Sequence, residues 1–148
     1  MTLRCAARPL FAALIALVVA ACDPLDDDAE RIRVILAEMA QALVQGDVGD
    51  FLDPIADDFI AAERGLDKSA VRLVVMRERL ARRSISVQRL NTRVEVLSET
   101  RATADFELIA TGGDSWLPDE GRLWRIETGW RLDRGDWKLV TARWDRAL

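Results

Sequence analysis

The spacing of apolar residues changes once along this chain, between Arg83 and Ile85, and that change limits the fold more than any other feature. Before it, apolar residues recur at three and four. After it, they recur at every second position. Helix spacing puts a stripe on one side of a cylinder, and alternation puts one apolar face on a strand. The chain therefore reads as helices first and a sheet second, an α+β domain in which the N-terminal helices must cover the sheet.

Asp27 and Asp28 precede the first helical pattern, with Glu30 in its first turn. Oxygens there cap free N–H groups and negative charge suits a helix start. Ile32, Ile35, Leu36, Met39 and Leu43 form its apolar face, and Gly46 is placed to end it. Asp47 caps a shorter helix with Phe51, Leu52 and Ile55, made irregular by Pro54. Asp57-Asp58-Phe59-Ile60 leads into a brief extended piece broken by Gly65. Asp67 caps a third helix, Lys68–Arg83, with Val71, Leu73, Val74, Met76 and Leu80 as its expected buried stripe. Arg77, Arg79, Arg82 and Arg83 gather late in it, a solvated set suited to a helix C-terminus.

Then come the strands. Val94 and Val96 alternate with Arg93 and Glu95, and Ala102, Ala104, Phe106, Leu108 and Ala110 with Thr103, Asp105, Glu107 and Thr111. A loop rich in Gly and Asp follows, carrying Trp116-Leu117-Pro118, which reads as a plug on the sheet, a lid or a partner-binding tip. Trp124, Ile126, Thr128, Trp130 and Leu132 define the next strand. Asp133-Arg134-Gly135-Asp136 is a hairpin turn, and the last strand runs from Trp137 to about Arg146. The four strands predict an antiparallel meander. Trp137 and Trp144 have opposite parity, so both face the core only across a bulge.

The first 21 residues read as an address. Arg4 and Arg8 precede LFAALIALVVAA, Leu10–Ala21, with no acid. A spanning helix needs about 20 apolar residues. A basic start, a short apolar run and small residues at its end describe a secretory signal peptide. Val19-Ala20-Ala21-Cys22 resembles the lipobox of bacterial lipoproteins. The resemblance implies cleavage before Cys22, lipid on its sulfur and an acylated amine, and several acyl chains make a stable anchor. It further implies a protein of the cell envelope that faces the periplasm, with Asp23 resembling an inner-membrane retention signal. Residues 22–28 read as an acidic tether and 29–148 as one domain.

Composition removes several function classes. The chain has no His and no Tyr, and only two Cys, Cys5 and Cys22. Imidazole catalysis, Cys-His or Ser-His-Asp nucleophiles and zinc clusters are excluded. The formal charge of −4 gives no basic stripe for nucleic acid. No cofactor or metal is expected.

Gln45-Gly46-Asp47, Ala56-Asp57-Asp58-Phe59, Gly65-Leu66-Asp67, Gly129-Trp130-Arg131-Leu132, Gly135-Asp136-Trp137-Lys138-Leu139 and Trp144 occur in an order that resembles the nuclear transport factor 2-like superfamily, with its SnoaL-like and ketosteroid-isomerase-like members. The match covers about residues 29–146. It implies a curved sheet wrapped round helices into a cone, often with an apolar pocket, and a homodimer through the sheet. The isomerases of that group polarise a carbonyl with Tyr and a protonated acid, and this chain has no Tyr to carry over.

The alternation predicts a pocket wall of Phe106, Trp124, Thr128 and Trp130, with Phe51 and Phe59 from the helical half. Core filling is the other reading of the same residues. Asp105, Glu107, Arg125, Glu127, Arg131 and Lys138 fall on the opposite alternation, free to pair across strands. No catalytic assembly emerges. Glu38, Asp57 and Asp58 are the remaining acids; Asp57 or Asp58 acts as a base only if burial raises its pKa, and otherwise bounds a turn. The expected function is a non-catalytic, lipid-anchored domain that binds a small apolar ligand or a protein partner. The alternatives are an isomerase- or dehydratase-type enzyme with a lone carboxylate and an envelope-assembly module. Cys22→Ala is expected to move the protein from the detergent phase to the aqueous phase in detergent phase partitioning; retention in the detergent phase would exclude the lipid anchor.

Overall fold

The computed structural model describes residues 24–81, 84–112 and 122–147. The leader, Cys22, Arg82, Arg83 and the Trp116 loop lie outside the described residues.

Helix α1 spans Pro24–Gln45, so it starts earlier than the Asp27 and Asp28 cap suggests, and Asp26 and Asp27 lie in its first turn. Asp28 is part of this helix rather than of a tether. Its Oδ1 accepts hydrogen bonds from Trp137 Nε1 at 2.9 Å and from Arg31 at 2.8 Å. Arg31 also donates to the Gly135 carbonyl oxygen. The start of α1 is thereby fastened to the final hairpin.

Gly46 ends α1 with φ +81°. The Asp47 N–H donates to the Ala42 carbonyl and the Gly46 N–H to that of Leu43, the paired bonds of a left-handed helix cap. The Arg79 guanidinium lies where a Cβ on residue 46 would stand. Gly46 is thus favoured by its left-handed backbone, and a cation from the third helix sits at the negative end of α1. Asp47 accepts from the Asp50 N–H and caps α2, Val48–Leu52, which stops before Pro54.

Strand β1 (Ile55–Ala61) follows, then one 3₁₀ turn, the short β2 (Leu66–Asp67) and helix α3 (Lys68–Ala81). Asp67 caps α3, accepting from the Ala70 N–H and the Ser69 hydroxyl. These bonds, the Ser69 hydroxyl first, hold its carboxyl below the ordinary range. Strands β3 (Ile85–Ser98), β4 (Arg101–Gly112), β5 (Arg122–Asp133) and β6 (Asp136–Arg146) complete the sheet.

The order is β2-β1-β6-β5-β4-β3. The last four strands form the expected antiparallel meander. The whole sheet is mixed rather than antiparallel throughout, because β1 joins β6 in parallel, and it is open rather than a closed barrel. Arg134 and Gly135 both have positive φ at the β5–β6 turn, the primed geometry that suits strand twist.

One core holds Ile32, Leu36 and Met39 of α1, Phe59 of β1 and Ala102, Ala104, Phe106, Trp130, Trp137 and Leu139 of the sheet. Both last-strand Trp residues reach that side. Gly129 pairs with Thr141 but Trp130 pairs with Leu139, so Val140 is an extra residue in β6. The bulge brings Trp137 and Trp144 onto one face, as their parity requires.

Helix α3 departs from expectation. No residue in it is buried, and Leu73, Val74, Met76 and Leu80 are exposed, Leu80 at 88%. Only Ala70, Val71, Val75 and Arg79 of its expected and neighbouring apolar side are half-buried among its non-acidic residues beyond Lys68. The helix lies on β1, β2 and α2, which occupy one narrow side of it. Amphipathic spacing shows that a helix has a stripe, not what covers the stripe.

Ile32→Ala is expected to lower stability by about 2–5 kcal/mol through an unfilled cavity. Leu80→Ala is expected to change it by no more than about 0.5 kcal/mol. Urea unfolding followed by tryptophan fluorescence separates the two; equal losses would contradict this packing.

Candidate functional site: the concave face of the sheet

The registers place the inward residues in rows. Ala102 lies beside Trp130, Ala104 beside Thr128, Phe106 beside Ile126 and Leu108 beside Trp124. Thr128, Ile126 and Trp124 oppose Ala142, Trp144 and Arg146 on β6.

The rows differ in depth. Phe59, Phe106 and Trp130 are buried in the core, and Thr128 is buried with them. Trp130 Nε1 donates to Thr128 Oγ1 at 2.9 Å, and that hydroxyl donates to the Ala104 carbonyl at 2.8 Å. This chain satisfies every polar atom of the two side chains inside an apolar core. These four residues are packed interior. Trp124 and Phe51 are half-buried, as are Val87, Leu108, Ala110, Ile126 and Trp144. The accessible apolar wall is therefore the end of the sheet around Trp124, with Phe51 apart from it on α2.

Arg64, after β1, closes the far side of that wall. Its guanidinium stands 5.0 Å from the Trp144 ring centroid and donates to the Trp144 carbonyl at 2.9 Å, a cation–π arrangement.

Arg89 is the inward residue that the sequence analysis missed. Leu90 pairs with Glu107 and Arg93 with Asp105, so Asn91 and Thr92 together oppose Phe106. Asn91 has φ +52°, and its amide donates to Glu107 Oε2 at 2.7 Å. This bulge reverses the faces of β3. Beyond it Thr92, Val94 and Val96 face inward; before it Ile85, Val87 and Arg89 do, and Leu90 is 40% exposed. If the same residues ran in one unbroken register from Arg93, Leu90 would point in and Arg89 out.

Arg89 pairs with Leu108 in the register and so stands in the row that contains Trp124. Its Nη2 donates to the Arg33 carbonyl of α1 at 3.3 Å. Its Nη1 is enclosed and has no hydrogen-bond partner among the described residues. Burial pushes the guanidinium down from the usual arginine range. An enclosed donor left unmade costs about 1–3 kcal/mol, more when charged.

The carboxylates stand elsewhere. Asp57 is exposed and paired with Lys68 at 3.0 Å. Asp58 is exposed and receives two hydrogen bonds from Arg131, at 2.8 and 2.9 Å. Those bonds hold the Asp58 carboxyl below its ordinary range and push Arg131 up. A general base requires the opposite shift. Glu38 is exposed on α1. On the outer alternation Glu127 and its register partner Arg143 are paired, with Glu63 beside them. Among the described residues no group of three or more His, Cys, Asp or Glu is placed to hold a metal, and no helix is long and apolar enough to cross a membrane.

The sequence matches no family model and no curated protein. Solved structures do match. One is a protein of unknown function from Pseudomonas putida, called nuclear transport factor 2-like (20% identity, TM-score 0.69, 81% of this chain and 87% of that one). Another is a nuclear transport factor 2-like protein with a cystatin-like fold from Novosphingobium aromaticivorans (17%, 0.70, 84% of each chain). A third is a hexachlorocyclohexane dehydrochlorinase from Novosphingobium barchaimii (14%, 0.68, 85% and 92%).

Asp58 is expected to titrate below the ordinary carboxylate value of about 3.9, read by carbon-detected NMR. Its folded pKa is depressed, so its contribution is present above the unfolded value and is lost as pH falls through the folded one. Arg131→Gln is expected to return Asp58 to the ordinary range; an unchanged titration would show that Arg131 is not the cause.

Proposed function

We propose that this chain, which has the nuclear transport factor 2-like fold, is a lipid-anchored binding protein of the bacterial cell envelope. Its concave face holds a small apolar molecule without transforming it. The observation that carries this reading is the makeup of that face. From β3 to β6 its described inward positions hold aromatic, aliphatic and small residues with arginine, and no Asp or Glu. Half-buried Trp124, Trp144, Leu108 and Ile126 supply the apolar surface that a small ligand needs. The chain has no His or Tyr, and none of the described inward positions from β3 to β6 holds a carboxylate to take a proton from a substrate.

The leader and Cys22 support the location. An acidic protein is repelled by anionic lipid, so acyl chains on Cys22 are its hold on the membrane, and Asp23 favours the inner one. The likeness to a dehydrochlorinase raises an enzyme reading of the isomerase or dehydratase type. That reading needs a carboxylate inside the cone, whereas Asp57 and Asp58 are exposed and ion-paired. A likeness in fold does not carry chemistry with it.

Native mass spectrometry of the full chain, extracted from membranes in mild detergent, tests the proposal. The expected result is a retained small molecule, or uptake of added naphthalene-2-carboxamide, that is lost in Trp124→Ala. A clean mass with no uptake overturns it.

A further inference from the structure

We infer that Arg89 is an anion-anchoring residue and that the ligand of the concave face is an amphiphile, a carboxylate on an apolar or aromatic body. The inference rests on the binding reading above and names the ligand class.

Two independent observations carry it. The first is the bulge at Asn91. It turns an arginine into an apolar wall and a leucine out to solvent. Burial alone favours the reverse, since Leu gains and Arg loses by leaving water. Bulges recur beside binding and active sites, where they re-aim a side chain.

The second is the state of the guanidinium. One nitrogen is spent on a backbone carbonyl of α1, and the enclosed Nη1 has no partner among the described residues. Burial lowers its proton affinity, and among the described residues no carboxylate is set against it. A structural arginine at such a place is normally paired or snorkels to water. Arg89 does neither with Nη1, and its row runs through Leu108 to Trp124. A carboxylate that opens the enclosure around Nη1 and sets its oxygens against the planar fork makes charge-assisted hydrogen bonds. The rest of the ligand then lies along Leu108, Trp124 and Ile126. Arg64 over Trp144 adds a second positive charge at that wall, and no inward carboxylate on these strands repels the head group.

Two probes of equal size separate charge from apolar fit: naphthalene-2-carboxylate and naphthalene-2-carboxamide. Each is titrated calorimetrically into the full chain held in nanodiscs of zwitterionic lipid, with empty nanodiscs as blank. The wild type is expected to bind the carboxylate about ten- to a hundredfold more tightly, the range for a hydrogen bond to a charged group. In Arg89→Met, which keeps the apolar stem, that ratio is expected to fall to about one with amide binding unchanged. Arg89→Lys is expected to keep part of the preference, as a charge without the fork. Equal binding of the two probes by the wild type overturns the Arg89 inference and leaves the binding reading intact. A preference that persists in Arg89→Met does the same. Binding of neither probe overturns both.

Discussion

The apolar face of the four long strands must be kept from water, and α1 is what keeps it so. Its residue Ile32 is wholly buried, and Leu36 and Met39 join the same core as Trp130 and Trp137. The helix is also tied by polar bonds at its start and stopped by a left-handed cap at its end. Asp28 and Arg31 tie its start to the β5–β6 hairpin, while Gly46 and the Arg79 guanidinium set its finish. An apolar stripe alone allows a helix to slide or roll on a sheet. Directional bonds at its start help give it one seat.

Much of this was legible in the sequence. The period change, the caps at Asp47 and Asp67, the stop at Gly46 and the hairpin at Arg134-Gly135 are local signals, and local chemistry decides them. The two-sided reading of the tryptophans also resolved locally: opposite parity at Trp137 and Trp144 demanded a bulge, and Val140 supplies it. Partnership is not local. Helix α3 has a helical stripe whose outer part faces water, because the elements that touch it are few and short. Arg89 was hidden for a related reason. Its strand reads as polar and apolar residues in no fixed alternation, and only the register shows that Asn91 reverses the faces. The signal available in sequence was a single Asn, the residue type that most readily adopts positive φ apart from Gly.

The wall and the outer surface divide the charges between them. Outside, acids and bases neutralise one another in pairs such as Asp58–Arg131 and Glu127–Arg143. Inside, Arg89 has no acid set against it among the described residues. Pairs on a surface contribute little stability, so the outer lattice is mainly a matter of solubility. Structures that share this fold at 10–20% identity keep its shape. Which polar groups project inward is decided by a few residues and by the register that aims them.

The bulge at Asn91 has a second effect, at the rim of the sheet. Strand β3 is the outermost strand on its side and, among the described residues, the longest, 14 residues. A straight edge of that length offers a row of backbone donors and acceptors on which another chain can zip. An extra residue in left-handed geometry breaks the row near its middle and twists the two halves apart. The same residue that aims the wall thus guards the edge, and a deletion that straightened β3 would expose the protein to self-association.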